Sequence, residues 1–354
     1  MDKFIDIMID CTKHGRKIKK GDYLEEGKYP VIDQGQKQCV GYSNEEEGLF
    51  NDVPAIIFGD HTRVIKYIDE PFFLGADGVK VLRSKDNNVD YRYLYYALRN
   101  VKIENTGYNR HFKWLKESKI RFPELNKQQK IATVLGKVER VIELKEKELK
   151  ELDLLIKSRF IELFGYPVSN TMNWDVAPMG EVAPTQKYNG SFDDSVWLLN
   201  LDMVEAQSGK VLDYNIVEVD EVGNSTGAFD TSNVLYSKLR PYLNKVVIPE
   251  RKGFATSELV PLKPNQKLLN REYLAYMLRS DEFVTMITEK VAGAKMPRVS
   301  MNDFRGFSVP LPPANLQNQF SRIVNHVDKL KVEVQKSLDE TQLLFDSLMQ
   351  EYFQ

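Results

Sequence analysis

Tyr93-Leu-Tyr-Tyr-Ala-Leu-Arg99 and Tyr273-Leu-Ala-Tyr-Met-Leu-Arg279 are two copies of one segment, and they decide the fold. When the two copies are aligned, five of the seven positions hold the same residue type. Each copy is followed by a loop that contains a glycine, Gly107 in the first and Gly293 in the second. Because a repeat at a fixed spacing marks a repeated structural unit, we expect the chain to be an internal duplication.

A long amphipathic helix is predicted after each copy. The strands Ile120-Arg-Phe-Pro123 and Phe307-Ser-Val-Pro310 lead into Gln-rich helix starts, and apolar residues then recur at alternating steps of four and three. This spacing is typical of a coiled-coil seam. The apolar seam positions are Ile131, Leu135, Val138, Ile142, Leu149, Leu152 and Ile156 in the first helix and Phe320, Val324, Val327, Val334, Leu338, Phe345 and Leu348 in the second. A helix over 127–164 would be about 57 Å long, and its single apolar stripe predicts that the two helices pack on each other. The alternative is a solvated, charged helix on each globular unit.

Short β-rich runs and turns precede each long helix, which predicts an α+β fold class, built twice. Gly165 and Pro167 end the first long helix. The predicted strands lie near 53–58, 63–68 and 78–82 in the first unit and near 197–201, 245–249 and 259–262 in the second. The predicted division is a globular domain at 1–125, a helix at 126–165, a second globular domain at 166–313 and a second helix at 314–354.

The charge balance argues against a protein that binds DNA alone. The 354 residues include 49 Lys and Arg against 51 Asp and Glu, a formal net charge of −2. Phosphate contacts supply most nonspecific affinity for DNA, so a solitary DNA-binding protein is usually basic. No large region of this sequence is a basic patch by composition. If DNA is the ligand, cations must be concentrated on one face or supplied by a partner subunit.

Composition also restricts the cellular setting. Cys11 and Cys39 are the only cysteines, too few for a disulfide framework or a four-cysteine zinc site. Residues 1–20 have no apolar core of signal-peptide length, because Asp2, Asp6 and Asp10 interrupt the stretch. No stretch approaches the roughly 20 apolar residues that span a bilayer. We therefore expect a cytoplasmic protein without a membrane segment.

Motifs for catalysis are missing from the sequence. It has no Gly-x-Gly-x-x-Gly, phosphate-binding loop or His-Glu-x-x-His pattern, and no Asn/Asp-Pro-Pro-Tyr/Phe of adenine methyltransferases. The pairs Glu143/Lys145 and Glu148/Lys150 are better explained as surface pairs of a helix. The four histidines show no metal-ligand spacing. A non-catalytic chain without metal or cofactor is expected.

Polar and aromatic residues on loops are the remaining candidates for a function. Arginine can grip guanine or phosphate with two hydrogen bonds, and asparagine can pair similarly with adenine. Proline at 241 is expected to hold Arg240 in an extended conformation. Local pairing within turns is the alternative. The candidate DNA contacts are Gln36, Lys37, His61, Arg63, Asn109, Arg110 and His111 in the first unit and Lys238, Arg240, Tyr242, Asn244, Lys245, Lys295 and Arg298 in the second.

At these residues the chain resembles the specificity (S) subunits of type I restriction–modification enzymes, over essentially its whole length. The first unit is similar to one common type of target recognition domain in that family, and the second unit to another. The segments that carry the resemblance are 29–35, 57–61, 73–82, 234–245, 253–258 and Pro310-Leu-Pro-Pro313. The first copy departs from the last of these, with Pro123-Glu-Leu-Asn126 in its place.

The resemblance implies a pseudo-two-fold arrangement in which each recognition domain reads one half of an asymmetric, split site on double-stranded DNA. It also implies that the two helices pack antiparallel and set the gap between the halves. Two methyltransferase subunits would bind around the helices, and restriction subunits would add translocation and cleavage. S-adenosylmethionine, ATP and Mg²⁺ would belong to those partners. A coiled-coil scaffold with two protein-binding domains, or a self-sufficient enzyme, are the competing interpretations.

Overall fold

The computed structural model describes residues 1–107, 109–291 and 295–354, so Tyr108 and Gly293 of the predicted loops lie outside the described residues. The chain divides into two compact units. Unit 1 comprises Met1–Glu146 and Lys336–Gln354, and unit 2 comprises Lys147–Gln335. Both long helices are therefore divided, one after Glu146 and the other after Gln335. Glu146 lies as far beyond Ile131 as Gln335 lies beyond Phe320, so the division falls at the same point of both seams.

The described residues of unit 1 form three small sheets. The four-stranded sheet has the order β2-β8-β5-β6, the three-stranded sheet β4-β3-β7, and β1 pairs with β9. The strands are β1 (Asp2–Lys3), β2 (Met8–Asp10), β3 (Tyr29–Ile32), β4 (Gly41–Ser43), β5 (Ala55–Gly59), β6 (Ile65–Ile68), β7 (Phe73–Leu74), β8 (Val79–Ser84) and β9 (Lys119–Ile120). The helices are α1 (Phe4–Ile7), α2 (Tyr91–Arg99), α3 (Phe112–Glu117) and the first part of α4 (Leu125–Phe164).

Strand β5 is central in unit 1 because every one of its residues is buried. Ile56 and Phe58 face a core with Leu94 and Leu98 of α2, while Ile57 faces a second core on the other side of the sheet. A fully apolar strand covered on both faces is what the continuous apolar run predicts. The sheet therefore gives the loops at its ends a rigid support.

Unit 2 repeats this plan with different strands. One sheet has the order β12-β11-β16-β13, a second has β15-β14-β17, and β10 pairs with β18. The strands are β10 (Val176–Pro178), β11 (Ser195–Leu199), β12 (Asn215–Glu218), β13 (Thr226–Phe229), β14 (Val234–Ser237), β15 (Val246–Val247), β16 (Gly253–Thr256), β17 (Leu259–Leu262) and β18 (Ser308–Pro310). The helices are α5 (Met179–Val182), α6 (Arg271–Arg279), α7 (Asp281–Glu289), α8 (Met301–Arg305) and the first part of α9 (Ala314–Phe353).

The repeated heptapeptides form α2 and α6, and each helix begins with a side-chain cap. Asp90 accepts a hydrogen bond from the backbone N–H of Tyr93, and Asn270 does the same for Tyr273. Such caps satisfy one of the free N–H groups at a helix start. The two tyrosines are buried and carry the packing of the long helices.

In unit 1, the first half of α4 packs against the last part of α9. Ile131 and Leu135 share one apolar cluster with Phe345, Met349 and Phe353. The start of one helix thus meets the end of the other. This arrangement is antiparallel, as expected.

In unit 2, the complementary halves meet in the same way. Ile156, Phe160 and Phe164 of α4 pack with Phe320 and Val324 of α9 in the core of the unit. The predicted α+β class and the antiparallel helix pair are therefore confirmed. The division into recognition domains at 1–125 and 166–313 stays a prediction.

The seam differs from the predicted one at the helix ends. Arg159, which continues the spacing, is exposed, whereas Phe160 and Phe164 are buried. The reason is that Tyr273 of α6 packs against this end of α4, with ring centroids 5.7 Å from Phe160 and 4.8 Å from Phe164. The buried stripe turns toward that tyrosine and leaves the simple heptad register. Within the described residues, no helix is long and apolar enough to cross a membrane.

Candidate nucleic-acid interface

Gln34 ties together three loops of unit 1, those that follow β3, β5 and β7. Its Nε2 donates to the carbonyl oxygen of Asp77 at 3.0 Å, and its Oε1 accepts from the N–H of His61 at 3.1 Å. The hydroxyl of Thr62 donates to the backbone oxygen of Gln34. One amide side chain therefore holds three loops at the same place.

A fourth loop, before α3, joins the same group. The backbone oxygen of Asp60 accepts from the N–H of His111 at 2.7 Å, and its carboxylate accepts from the N–H of Phe112 at 2.8 Å. Nδ1 of His61 lies 3.2 Å from the carbonyl oxygen of Asn109. The structure thus brings together predicted residues from 36–37, 61–63 and 109–111, which the sequence separates widely. We call these four connected loops the loop cluster.

Two predicted DNA contacts form hydrogen bonds within unit 1. The imidazole of His111 is fully buried, and its Nδ1 lies 3.0 Å from the carbonyl oxygen of Asp60. Arg63, at a φ of 62°, donates from Nη1 to the carbonyl oxygen of Ile103 at 3.1 Å. Both side chains therefore help to hold loops of unit 1 in position.

The loop cluster presents other predicted residues to solvent. Gln36, Lys37, Asn109 and Arg110 are exposed. Nδ2 of Asn109 donates to the carbonyl oxygen of Thr106 at 2.6 Å, which fixes the orientation of its amide. Amide and cationic side chains of this kind can pair with base edges and phosphates.

Lys66 supports the loop that carries Gln36 and Lys37. Its side chain is 3% exposed, and its ammonium donates to the carbonyl oxygens of Asp33 at 2.8 Å and Lys37 at 2.6 Å. The carboxylate of Asp33 lies 3.5 Å away. Burial lowers the pKa of the Lys66 ammonium, and the charge of Asp33 opposes that shift. A buried charge is kept only where such partners offset its desolvation.

Arg240 in unit 2 has a left-handed backbone, with φ 50° and ψ 66°, and the expected extended conformation is wrong. Its N–H donates to the carbonyl oxygen of Pro297 at 2.8 Å, and its own carbonyl accepts from Leu243 at 2.9 Å. These two bonds close the turn around the short helix Pro241–Leu243. A non-glycine residue in this region is uncommon and is held there by its surroundings. The side chain of Arg240 remains exposed.

The rest of this turn divides into exposed residues and supporting ones. Tyr242 is exposed, whereas Asn244 is buried and donates from Nδ2 to the carbonyl oxygen of Arg279 at 3.0 Å. The ammonium of Lys245 donates to the carbonyl oxygen of Leu201 at 2.8 Å. Asn244 and Lys245 therefore hold neighbouring segments of unit 2 in position.

A second segment of unit 2 lies beside this turn. Leu239 forms a β-bridge with Arg298, and the guanidinium of Arg298 pairs with the carboxylate of Glu258 at 3.2 Å. Lys238 is half-buried, and Lys295 is exposed. The structure thus brings the two predicted segments of unit 2 together, with Arg298 already paired.

Sequence reasoning missed Gln34 and Lys66, although a signal existed for the second. In β6 the buried positions alternate, and Lys66 has the same phase as Ile68, which is buried. A lysine in phase with a buried isoleucine indicates a buried ammonium with backbone partners. No local pattern marks Gln34, since its three partners come from distant loops. Among the described residues, no group of three or more His, Cys, Asp or Glu side chains could hold a metal ion.

The profile of the type I restriction modification DNA specificity domain matches residues 4–154 and 206–341. The specificity subunit of the type I enzyme EcoR124I/EcoR124II of Escherichia coli is 21% identical over 348 residues, 91% of this chain and 84% of that protein. The EcoDI specificity subunit of the same organism is 26% identical over 154 residues, 42% of this chain and 34% of that protein.

Solved structures agree in fold. The S subunit of a type I restriction–modification system from M. genitalium has a TM-score of 0.61 at 18% identity, and the match covers 99% of this chain and 95% of that one. A chain from a structural study of complex assembly in a type I system has a TM-score of 0.52 at 15% identity, covering 86% and 82%. Since the family profile matches well over half of its length, the chain belongs to the type I restriction modification DNA specificity family and is a non-catalytic specificity subunit.

Proposed function

We propose that unit 1 and unit 2 each read one half of a split sequence on double-stranded DNA, and that α4 and α9 set the gap between the halves. Exposed side chains of the loop cluster, Gln36, Lys37, Asn109 and Arg110, contact DNA in the first half. In the second half the contacts come from Arg240, Tyr242, Lys238, Lys295 and Arg298. The buried and half-buried residues His111, Arg63, Asn244 and Lys245 hold these contacts in position.

The observation that carries this proposal is a shared frame with different loops. Tyr93 and Tyr273 pack equivalently on the long helices, so the two units present their loops from the same scaffold. The loops themselves differ in sequence and in hydrogen bonding. The loop cluster is tied by Gln34, whereas the turn at Arg240 is closed by Pro297. Two units with the same scaffold but different loops are suited to recognise two different short DNA sequences. Each of these half-site sequences is called a word below.

The long helices also expose apolar side chains that a partner protein can cover. Leu154 is 61% exposed and Val332 70% exposed in unit 2, and Leu343 is 70% exposed in unit 1. Further exposed apolar residues on α4 and α9 are Val134, Val141, Leu144, Leu155, Ile161 and Leu344. Apolar surface of this kind marks protein contacts when it is concentrated on one element. We assign it to two methyltransferase subunits.

The chemistry then belongs to the partners. Specificity subunits of this family carry no cofactor, so S-adenosylmethionine is bound by the methyltransferase subunits, and ATP and Mg²⁺ act with the restriction subunits. Partner subunits also supply the cations that a chain with a net charge of −2 lacks.

The test is to co-express the chain with the methyltransferase subunit from the same system, purify the complex and sequence the methylated DNA. The expected product is one split motif of two short words with a fixed gap. A complex that forms but methylates no split motif would refute the proposal. So would methylation by this chain without a partner.

Independent reading by the units is tested by exchanging residues 1–120 for the corresponding domain of another family member. We expect the first word to change, while the second word stays the same. If both words change, the units do not read independently. The reciprocal exchange, in unit 2, is the matched control.

A further inference from the structure

A short basic segment lies near the start of unit 1. It does not show in the net charge of a larger region, because acidic residues elsewhere in the region balance it. Residues 12–21 contain no acidic side chain. They include six basic residues, Lys13, His14, Arg16, Lys17, Lys19 and Lys20, and all six are exposed. This stretch, called the basic segment below, is an exception to the even charge balance of the chain.

The backbone of the basic segment is held rigidly in unit 1. The N–H of Arg16 donates to the carbonyl oxygen of Gly48 at 2.8 Å, and the N–H of Ile18 donates to Leu74 at 2.8 Å. Leu74 in turn donates to the carbonyl oxygen of Arg16 at 3.1 Å. The side chain of Ile18 is buried beside Phe73. The cations therefore project from an ordered strand-like support, which reduces the entropy lost when a ligand binds.

The basic segment is joined directly to the loop cluster. The ammonium of Lys17 forms an ion pair with the carboxylate of Asp77. The carbonyl oxygen of Asp77 accepts from Gln34, which also holds the N–H of His61. The hydrogen bond from Lys17 holds the pKa of Asp77 below its usual range, and the charge of Arg110 acts in the same direction. The cations of the basic segment and those of the loop cluster thus share one carboxylate.

Three of the lysines carry a positive charge that none of the described residues neutralises. Arg16 pairs with Glu45, and Lys17 pairs with Asp77. Lys13, Lys19 and Lys20 have no ion pair among the residues that the structure describes. Positive charge without an ionic partner on three lysines of one short segment favours an anionic ligand with repeated charges. A DNA backbone that passes beside the loop cluster presents such charges.

We propose that the basic segment binds the phosphate backbone of DNA beside the first half-site, through Lys13, Lys19 and Lys20. The inference rests on the proposed reading of that half-site by unit 1. The segment supplies affinity that does not depend on base sequence, while the loop cluster selects the bases. The local positive charge of the basic segment compensates for the lack of net positive charge on the chain as a whole.

The test uses the complex with its methyltransferase subunits and a duplex that contains the motif found by sequencing methylated DNA. Binding constants are measured over a series of salt concentrations for the unaltered complex and for the triple variant K13A/K19A/K20A. Each phosphate contact contributes about 0.9 to the slope of log K against log salt concentration. We expect the triple variant to bind about tenfold or more weakly at the lowest salt concentration. We also expect its slope to be smaller by about 1 to 3.

A charge-matched control is available in the same unit. Lys3, Lys102 and Lys119 are exposed and have no ion pair among the described residues. The variant K3A/K102A/K119A removes the same charge and should keep the slope of the unaltered complex. The variant K13R/K19R/K20R keeps the charge and should also keep the slope. Equal slopes for both alanine variants would overturn the proposal, because the effect would then be one of net charge.

The preference for bases separates this proposal from the function on which it rests. A second duplex has the first word scrambled, and the ratio of the two affinities should be the same in the triple variant as in the unaltered complex. A changed ratio would overturn a phosphate-only role. The triple variant could instead lose its methyltransferase subunits while the slope stays unchanged. The basic segment would then bind an acidic protein surface, which would also overturn the proposal. If the split-site function is wrong, the unaltered complex will not methylate a split motif. The salt dependence of binding can still be measured on any motif that the complex methylates, so the two failures are distinguishable.

Discussion

Gln128 and Gln317 occupy equivalent buried positions near the starts of α4 and α9. The Oε1 of Gln128 accepts from the N–H of Asp90 at 3.0 Å, and that of Gln317 accepts from the N–H of Asn270 at 2.9 Å. Asp90 and Asn270 are the capping residues of α2 and α6. Gln128 therefore joins α4 to α2, and Gln317 joins α9 to α6.

The same joint contains a second matched hydrogen bond. The hydroxyl of Tyr93 donates to the carbonyl oxygen of Arg121 at 2.7 Å, and that of Tyr273 donates to Pro310 at 3.0 Å. Along the chain, the acceptor lies further from its tyrosine in the second copy than in the first. The extra residues of the second copy consequently lie between the short helix and the strand before the long helix. They leave the joint itself unchanged.

Removing either buried glutamine should destabilise the protein. Gln128→Ala leaves the N–H of Asp90 and the carbonyl oxygen of Pro123 without their partner. Gln317→Ala does the same to the N–H of Asn270 and to the carbonyl oxygens of Leu268 and Pro312. Each loss should cost about 1–3 kcal/mol. Denaturant unfolding measures the loss. Gln129→Ala and Gln319→Ala are matched controls, because these neighbouring glutamines are exposed and should change stability little. Equal losses in both pairs would contradict the role of the buried glutamines in the joint.

Lys66→Met should weaken reading of the first word only. The substitution keeps most of the side chain's volume but removes the two hydrogen bonds to the carbonyl oxygens of Asp33 and Lys37. We expect a loss of about 1–3 kcal/mol in binding to the first half-site, measured with duplexes that vary one word at a time. Lys245→Met is the counterpart in unit 2 and should affect the second word. The prediction fails if each variant weakens both words alike.

Arg240→Ala should weaken binding at the second half-site by about 1–3 kcal/mol if the guanidinium contacts a base, with relaxed selectivity at one position. Affinity is measured on duplexes with single changes in the second word. Lys267→Ala, which removes an exposed cation from the loop before α6, is the control and should leave selectivity intact. Unchanged binding and methylation in Arg240→Ala would mean that this arginine only shapes its turn.

Lengthening both long helices should change the gap and spare the words. Four residues inserted after Glu146 and after Gln335 add about 6 Å to each helix, which is about one or two base pairs of DNA at roughly 3.4 Å each. These positions are equivalent in the two helices, so their pairing can be kept. Sequencing of methylated DNA gives the new motif. An unchanged gap would contradict the role of the helices as spacers.

Stability should fall in alkaline solution as buried tyrosines ionise. Burial raises the pKa of Tyr276 to about 12, above the value of about 10 in an unfolded chain. The neutral form is therefore favoured by folding. Its contribution is complete below about pH 10 and is lost as the pH rises toward 12. Tyr276→Phe should flatten the pH dependence of the unfolding free energy in this window, followed by circular dichroism, whereas replacement of the exposed Tyr166 should not.

Local patterns were sufficient for the duplication, the two long helices and most of the seam. Heptad spacing depends on neighbours three and four residues apart, and capping on neighbours three residues apart, so both can be recognised in one sequence. The family resemblance then carried the antiparallel packing of the helices. The basic segment at 12–21 was also visible in the sequence, but averaging the charge over the whole of 1–125 concealed it.

Only the tertiary structure decided which candidate side chains face solvent. Arg63, His111, Asn244 and Lys245 have the chemistry of DNA contacts, yet the chain uses each of them internally. Their partners, among them Asp60 and Leu201, lie in loops or helices that are distant along the chain. The sequence by itself determined the repeated scaffold because its signals are local and periodic. The tertiary structure decided the reading surface, because a polar side chain is committed by contacts with distant loops that no local pattern records.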